Sequence, residues 1–257
     1  MEKADWFSQS PHRVRMDWGW RGCSAAAQRG DAIVIVDVIR FSTAVCAAAA
    51  HGITIYPASD RDDLHELCLR FDATHFAAGL APGQYQSVKA GSRMVLRSPN
   101  GATCVRLSSA APVVMVGGLV NRSAVATCVQ RVLDKTDLNV TVIACGERWE
   151  EPSDDGALRF AIEDYLGAGS ILSRIHDGDL WPEARACANA FIGTTDVRAL
   201  LLNCGSGREQ IAKDDIASVE HAAMIDRYDV LPVLRDGCRL EPLTDISEIT
   251  SLAKNPG

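Results

Sequence analysis

The sequence predicts an α/β protein of three layers, with a mainly parallel, mixed sheet between two layers of helices. A continuous aliphatic run at 33–36 is typical of a strand buried on both faces, as in parallel sheets. Strand, loop and helix then recur at least four times, which is the order that parallel strands with helical crossovers require. We predict a single domain over residues 1–257, with a weak break near residue 178 that is compatible with a C-terminal subdomain.

The individual elements follow from the hydrophobic period and from turn residues. Strands are predicted at 33–36, 53–57, 75–80, 94–97, 113–116 and 140–145. Helices are predicted at 42–52, 60–69, 102–109, 123–133, 157–175, 183–191, 196–202 and 216–225. We expect Ser42 or Thr43 near the N-cap of the first helix. Loops are predicted at 84–91 and 150–155, and a closing β-hairpin at 230–234 and 238–240.

Composition and charge narrow the class of protein. The 257 residues are 47% hydrophobic and 23% charged, as in a globular protein that is large enough for a substantial core. The net charge of −7, without blocks of like charge, argues against a nucleic-acid partner or an anionic membrane surface. A local basic pocket for a small anion remains compatible with this charge.

The cysteines and the N-terminal residues indicate a cytoplasmic location. Nine scattered cysteines form no C-x-x-C pair, which predicts reduced thiols. The N-terminal residues have the pattern of neither a signal peptide nor a membrane span. Apolar residues within 182–225 are compatible with a homodimer surface, although core packing explains them equally well.

Polar residues directly follow the first predicted strand. They are Asp37, Arg40, Ser42 and Thr43, between an aliphatic run and an alanine-rich helix. In α/β proteins, ligands bind beyond the carboxyl ends of strands, where helix N-termini direct N–H groups at anions. A carboxylate and a guanidinium at this place predict a metal-assisted site for an anionic substrate.

Three further loops carry residues that suit an oxyanion. They are Ser98, Asn100 and Gly101, then Gly117, Gly118 and Asn121, and then Gly146, Glu147 and Arg148. Because crossovers between parallel strands share one hand, these loops gather at one edge of the sheet and form one candidate pocket. Each group alone is also explained as a turn or a helix cap.

Three carboxylates have competing interpretations. Asp37 either caps the following helix, pairs with Arg40, or serves as a ligand or catalytic group, since an unpaired charge in an apolar run is costly. Glu163 and Asp164 lie on a predicted helix whose apolar stripe points away from Glu163, so a solvated face explains both. If one of the two acts at the site, helical geometry favours Asp164.

Several other catalytic patterns find little support. Ile39 stands where a haloacid-dehalogenase-type site needs a second aspartate. Cys23 and Arg29 have the C-x5-R spacing of cysteine phosphatases, but no buried strand precedes them. The six histidines lack metal-ligand spacing, which disfavours zinc and leaves oxygen ligands suited to Mg²⁺. Cys145 at a strand end is more simply a small buried residue than a thiolate nucleophile.

Five segments of the chain combine in a recognisable order and spacing. They are VDVIRFST at 36–43, SPNG at 98–101, NRSA at 121–124, ACGER at 144–148 and EDYLGAG at 163–169, with GSG at 205–207 and DVLP at 229–232 closing the series. Together they resemble the 2-phosphosulfolactate phosphatase family, which serves coenzyme M biosynthesis. The resemblance covers roughly residues 30–240. It implies a three-layer α/β/α fold and Mg²⁺-dependent hydrolysis of 2-phospho-3-sulfolactate to 3-sulfolactate and phosphate.

The resemblance also implies roles for the pocket residues. Asp37, Glu163 and Asp164 would be the metal ligands, and Asp37 would also take part in catalysis with three further residues. Those three are Arg40, Glu147 and Arg148. The small anionic phosphorylated substrate would be held by Ser42, Thr43, Ser98, Asn100, Gly101 and Asn121.

One segment departs from the family pattern. Typical members carry Gly-Glu-Arg before the strand that leads to the Asn-Gly turn, whereas 77–83 has neither an acid nor a guanidinium. Two other functions therefore stay open. One is a non-catalytic binder of small anions, which this loss favours, and the other is a lyase or transferase acting on a phosphorylated acid.

Overall fold

The computed structural model describes residues 7–75, 81–154 and 156–252. Within these residues, eleven strands form a nine-stranded main sheet and a separate two-stranded hairpin. The strands are β1 (Val14–Trp18), β2 (Ala32–Val36), β3 (Thr54–Ala58), β4 (Thr74–His75), β5 (Arg93–Arg97), β6 (Val114–Val116), β7 (Val140–Ala144), β8 (Glu147–Ser153), β9 (Gly156–Arg159), β10 (Pro232–Arg235) and β11 (Arg239–Pro242). The main sheet has the order β1-β7-β2-β6-β10-β11-β3-β5-β4.

Helices cover both faces of the main sheet. They are α1 (Gly19–Gln28), α2 (Phe41–Ala50), α3 (Leu64–Phe71), α4 (Gly101–Leu107), α5 (Arg122–Lys135), α6 (Ile162–Leu172), α7 (Pro182–Ile192), α8 (Val197–Asn203), α9 (Gly205–Ala212), α10 (Ile216–Ala222) and α11 (Glu248–Leu252). Short 3₁₀ helices lie at Pro82–Ser87, Leu119–Asn121 and Asp177–Asp179. The predicted α/β fold with a mixed, mostly parallel sheet is confirmed.

Strand β2 shows how the sequence separates the two helical layers. All five of its residues are buried, and it pairs in parallel with β6 and β7. Ile33 and Ile35 pack in the core that includes α1, α2 and α4. Val34 and Val36 pack in the opposite core, with α5, α6 and α7. Since successive side chains of a strand point to opposite faces, the aliphatic run serves both layers at once.

The closing β-hairpin is an internal part of the main sheet. Strand β10 pairs antiparallel with β6, and β11 pairs antiparallel with β3. The hairpin therefore joins two parallel groups of strands, β1-β7-β2-β6 and β3-β5-β4. Its position explains the mixed character of the sheet.

Several predicted elements need correction. Strand β1 and helices α1 and α9 have no counterpart in the sequence-based assignment, because short amphipathic segments near turn residues carry a weak periodic signal. The predicted acidic loop at 150–155 is largely part of the hairpin β8–β9. The predicted strand at 75–80 begins with β4, and its residues 76–80 lie outside the described residues. The segment from Pro82 to Ser87 is a 3₁₀ helix where a loop was expected.

The described part of the chain has unpaired cysteines and mostly short helices. All nine cysteines are free thiols, and seven of them are buried. In the part of the chain that the structure describes, no helix has both the length and the apolar character needed to cross a bilayer. The single-domain assignment, the homodimer and the cytoplasmic location stay predictions.

Candidate active site

Asp37 lies one residue beyond β2 and is held by three hydrogen-bond donors. Its Oδ1 accepts from the backbone N–H of Phe41 at 3.1 Å, at the start of α2. Its Oδ2 accepts from the backbone N–H of Gly101 at 2.9 Å and from the hydroxyl of Ser98 at 3.3 Å. Asp37 therefore joins the first turn of α2 to the first turn of α4.

Gly101 is required where α4 approaches Asp37. A Cβ atom at this position would lie 2.4 Å from the ring of Phe41 and 2.7 Å from Oδ2 of Asp37. Ser98 supports the same turn, because its hydroxyl accepts from the N–H of Gly101 at 3.1 Å. The SPNG segment thus brings a backbone donor into contact with a buried carboxylate.

Asp164 holds two strand-end loops from the opposite helical layer. It lies in the first turn of α6 and is buried. Its Oδ1 accepts from the N–H of Val38 at 2.7 Å, and its Oδ2 accepts from the N–H of Gly146 at 2.9 Å. Helix α6 packs closely against the loop after β2. Gly167 permits this approach, because a Cβ atom at its position would lie 2.4 Å from the side chain of Val38. The interpretation of Glu163 and Asp164 as a solvated face is wrong, because both are buried.

Glu147 and Glu163 share a hydroxyl group from a different helix. The hydroxyl of Ser206, in the first turn of α9, hydrogen-bonds to Glu163 and lies 3.2 Å from Oε1 of Glu147. The side-chain amide of Asn100 donates to Oε2 of Glu147 at 2.9 Å. Asp37, Glu147, Glu163 and Asp164 are called the carboxylate cluster below.

The carboxylate cluster is electrostatically unfavourable when all its members are ionised. Burial raises the pKa of Asp37 to about 6, and the charge of Glu163 adds to this rise. Burial also raises the pKa of Glu147 to about 7, with contributions from the charges of Asp37 and Glu163. The pKa of Asp164 is raised for the same reasons. Raised carboxyl pKa values at strand ends are typical of sites that bind a cation or transfer a proton.

No described lysine or arginine forms a salt bridge with any member of the carboxylate cluster. Such burial of like charges opposes folding unless it is offset by a ligand. Protonation or a bound cation would therefore relieve the repulsion among these carboxylates.

Comparison with known proteins assigns the chain to a family. The sequence model of 2-phosphosulpholactate phosphatases matches residues 23–237, which include the whole carboxylate cluster. The chain belongs to the 2-phosphosulpholactate phosphatase family. Family membership classes it as a phosphoric monoester hydrolase.

Individual relatives match at low identity over most of their length. A probable 2-phosphosulfolactate phosphatase of Carboxydothermus hydrogenoformans is 26% identical over 219 residues, which are 78% of this chain and 85% of that protein. One of Thermosynechococcus vestitus is 23% identical over 248 residues, covering 87% of this chain and 93% of the relative. One of a Synechococcus species is 29% identical over 181 residues, 63% and 67% of the two chains.

The carboxylate cluster contains oxygen donors of the kind that Mg²⁺ prefers. Mg²⁺ prefers carboxylate and other oxygen ligands, and the carboxylate cluster supplies such oxygens without a competing cation. Within the described residues, no three His, Cys, Asp or Glu side chains converge as a preformed metal site. The type of donor therefore suits Mg²⁺, whereas the arrangement is not a preformed metal site, and Mg²⁺ binding is a proposal.

The two predicted catalytic arginines contact other residues than the carboxylate cluster. Arg40 precedes α2, and its guanidinium pairs with Asp215 at the N-cap of α10. The guanidinium carbon of Arg148 lies 3.6 Å from the centre of the Trp20 ring. The alternative pairing of Asp37 with Arg40 is not found, whereas the alternative capping contact of Asp37 with α2 is present.

The predicted hydroxyl and amide ligands serve the local backbone. Ser42 accepts from the N–H of Asp37 at 2.9 Å, and Thr43 donates to the carbonyl of Val38 at 2.8 Å. Ser42 and Thr43 lie near the N-cap of α2 as expected, but the N-cap residue itself is Arg40 and neither hydroxyl caps the helix. Asn121 precedes α5 as expected, but its amide bonds to Gly118 and Val230. These contacts shape the strand-end loops around Asp37.

Ser206 is the site residue that the sequence analysis missed. The GSG segment at 205–207 was noted only as part of the family pattern. A Cβ atom on Gly207 would lie 1.8 Å from the carbonyl oxygen of Leu201, so the segment requires glycine for its close approach. A glycine-flanked serine in the predicted helical region was the available signal.

Cys145 is a small buried residue, as its simpler interpretation predicted. Its thiol is buried directly after β7, and burial raises its pKa to about 12. A thiol with this pKa is protonated at neutral pH and is a poor nucleophile. The segment 77–83, where the family pattern departs, lies largely outside the described residues.

Proposed function

We propose that this chain hydrolyses a small phosphorylated hydroxy acid, most simply 2-phospho-3-sulfolactate, to 3-sulfolactate and phosphate in the presence of Mg²⁺. The observation that carries the proposal is the carboxylate cluster, whose charges raise one another's pKa values and whose members form no salt bridge within the described residues. The names of the relatives support the substrate class. The raised pKa values of Asp37 and Glu147 also support the proposal, because burying several carboxylates together is costly unless their negative charge serves a function.

Asp37, Glu163 and Asp164 would hold the metal ion in this proposal. When bound, Mg²⁺ would neutralise the phosphoryl oxygens and orient them for attack. Hydrogen bonds from backbone N–H groups hold the carboxylates of Asp37 and Asp164 in defined orientations. Glu163 is positioned by its hydrogen bond with Ser206.

Glu147 is the candidate for proton transfer. It is the least buried member of the carboxylate cluster, and Asn100 and Ser206 fix both of its oxygens. Hydrolysis breaks the bond between phosphorus and the ester oxygen, water supplies the new oxygen on phosphorus, and the leaving oxygen takes a proton. A carboxyl group with a pKa near 7 is suited to give or accept that proton at neutral pH.

Phosphate release tests the proposed function directly. Purified protein with Mg²⁺ should release phosphate from 2-phospho-3-sulfolactate, and EDTA should abolish the release. Asp37→Asn should lower the activity by at least about 100-fold, because it removes a proposed metal ligand. Asp137→Asn is the matched control, since Asp137 is exposed and precedes β7 at the opposite sheet edge.

The result also separates the proposal from the two other functions. Full activity after EDTA treatment would contradict the metal role. Thermal stabilisation by sulfolactate without any turnover would instead indicate a binder of small anions. Loss of the parent compound without release of phosphate would indicate a lyase or transferase.

A further inference from the structure

A cavity of about 520 Å³ is lined in part by residues that are sequence neighbours of the candidate site residues. Pro99, between Ser98 and Asn100, lines this cavity, and so does Arg148, which follows Glu147. Its volume lies in the range of small-molecule sites. It lies at the carboxyl edge of the sheet, where the loop after β3 contributes Ser59, Asp60 and Arg61.

Guanidinium groups dominate the charge of this cavity. Arg61, Arg106 and Arg148 all line it, and Asp60 is the carboxylate on the same lining. Arg106 is paired with Asp62. In the described part of the chain, Arg61 and Arg148 have no carboxylate partner. We call this space the arginine cavity.

Trp20 lines the arginine cavity and contacts Arg148. The guanidinium of Arg148 lies over the indole ring, and this cation–π contact positions the guanidinium without using its N–H donors. Pro99 and Leu107 add apolar surface. Guanidinium groups beside apolar walls suit an organic acid, because planar N–H donors match carboxylate and sulfonate oxygens.

The two neighbouring spaces have opposite charge. The carboxylate cluster has no basic partner among the described residues, and the whole chain has a net charge of −7. A substrate that carries several negative charges therefore gains little attraction at the cluster itself without a metal ion. Two unpaired guanidiniums in the adjoining cavity would provide that attraction.

We infer that the arginine cavity binds the acidic arm of the substrate that is not hydrolysed, with Arg61 and Arg148 as the recognising groups. This inference rests on the proposed function and names the residues that would recognise the second acidic group of its substrate. Glu147 and Arg148 are successive residues of β8 and point to opposite faces. Arg148 therefore faces the arginine cavity, whereas Glu147, a member of the carboxylate cluster, hydrogen-bonds to Asn100.

Binding of 3-sulfolactate, which lacks the phosphoryl group, tests the inference. Isothermal titration calorimetry would use the full chain and the variants Arg61→Gln and Arg148→Gln. Each variant should bind 3-sulfolactate roughly tenfold more weakly, as expected for the loss of one charged hydrogen-bonding group. Arg93→Gln is the matched control, because Arg93 is exposed and pairs with Asp72 at the opposite end of β5. Arg61 is exposed, so its substitution leaves the fold intact even if Arg148→Gln does not fold.

Competition separates a substrate subsite from an independent anion site. 3-Sulfolactate should inhibit phosphate release competitively, and both variants should weaken the inhibition about tenfold. Equal affinity in the wild type and both variants, or inhibition that is not competitive, would overturn the inference. If the wild type hydrolyses no phosphate ester, the proposed function fails, while the calorimetric comparison still decides whether the arginine cavity binds the acid.

Discussion

Strand β2 has a buried aspartate beside each of its ends, and the two carboxylates have different kinds of partner. Asp31 precedes the strand, and Asp37 follows it; their exposed fractions are 1% and 6%. Asp31 is paired with Arg15 at 3.0 Å and with Arg29 at 3.0 Å, and it accepts from the hydroxyl of Thr141 at 2.8 Å. Asp37 has backbone and hydroxyl donors, and its charged neighbours are carboxylates.

The two ends of β2 therefore differ in the role we assign to their carboxylates. Asp31 stabilises the fold, whereas we propose that the carboxylate cluster serves the function. A buried carboxylate with two guanidiniums is satisfied in the free protein, and removing it leaves a buried cation. In the described residues, the carboxylate cluster at the other end lacks such partners, and we propose that a bound cation offsets its charge. Similar burial of the two ends of one strand thus has opposite consequences for stability and activity.

The largest expected effect is the loss of turnover in Glu147→Gln. Glutamine keeps the shape and the contacts with Asn100 and Ser206, but it cannot transfer a proton. We expect kcat to fall by about 10² to 10⁴, the usual contribution of a positioned acid or base. Steady-state phosphate release measures this change. Glu150→Gln on the same hairpin is the control, since Glu150 is exposed; an equal loss in both variants would remove Glu147 from the mechanism.

The opposite end of β2 should respond in stability. Asp31→Asn leaves the buried guanidinium of Arg15 without its charge partner, so the free energy of unfolding should fall by about 3–5 kcal/mol. Urea unfolding measures this loss. Asp177→Asn is the control, because the exposed pair of Asp177 and Arg185 should contribute less than about 1 kcal/mol. Similar small losses in both variants would break the distinction between the ends of β2.

The two ends of β2 were not equally predictable from the sequence. The segment from β2 to α2 was predicted because an uninterrupted aliphatic run followed by alanines has few alternative structures. The pairing of Asp31 with Arg15 was not predicted, since Arg15 lies on β1, a strand that the sequence did not reveal. Contacts between distant elements depend on strand order, which local periodicity does not contain.

A smaller effect is a pH-dependent gain in stability for Glu147→Gln. The pKa of Glu147 is raised from 4.5 to about 7 in the folded protein, so the folded state binds more protons between these values. Wild-type stability therefore falls as the pH rises through this window. The variant lacks this loss and should be more stable by about 1–2 kcal/mol at pH 8, allowing for the partial exposure of Glu147, and by little near pH 4.

Urea unfolding in EDTA at the two pH values measures that gain. Glu150→Gln should show no such dependence, because Glu150 lies exposed on the same strand. A constant difference between Glu147→Gln and the wild type at both pH values would contradict the assigned cause.

The smallest effect is expected for Ser206→Ala. Its hydroxyl connects Glu147 and Glu163, so its loss should lower kcat by roughly five- to tenfold while the fold is retained. Ser173→Ala is the control, since its hydroxyl bonds to the carbonyl of Ser170 within α6 and its C-cap. If both variants keep wild-type kcat, Ser206 does not position the carboxylates.

The carboxylate cluster itself was only partly predictable. The strand-end positions of Asp37, Asn100 and Glu147 follow from the shared hand of parallel crossovers. Periodicity misplaced Glu163 and Asp164 on a solvated face, because the first turn of α6 is buried by loops and by α9. The insertion of β10 and β11 between β6 and β3 also depends on long-range pairing, which a hairpin signal does not specify.

Titration calorimetry with Mg²⁺ determines whether a cation binds at the carboxylate cluster. The wild type should bind Mg²⁺, and Asp31→Asn should bind it with similar affinity at a temperature where it is folded. Glu163→Gln should bind Mg²⁺ at least about tenfold more weakly, because it loses a proposed carboxylate ligand. Unchanged Mg²⁺ affinity in Glu163→Gln, or no Mg²⁺ binding by the wild type, would contradict a metal site at the carboxylate cluster.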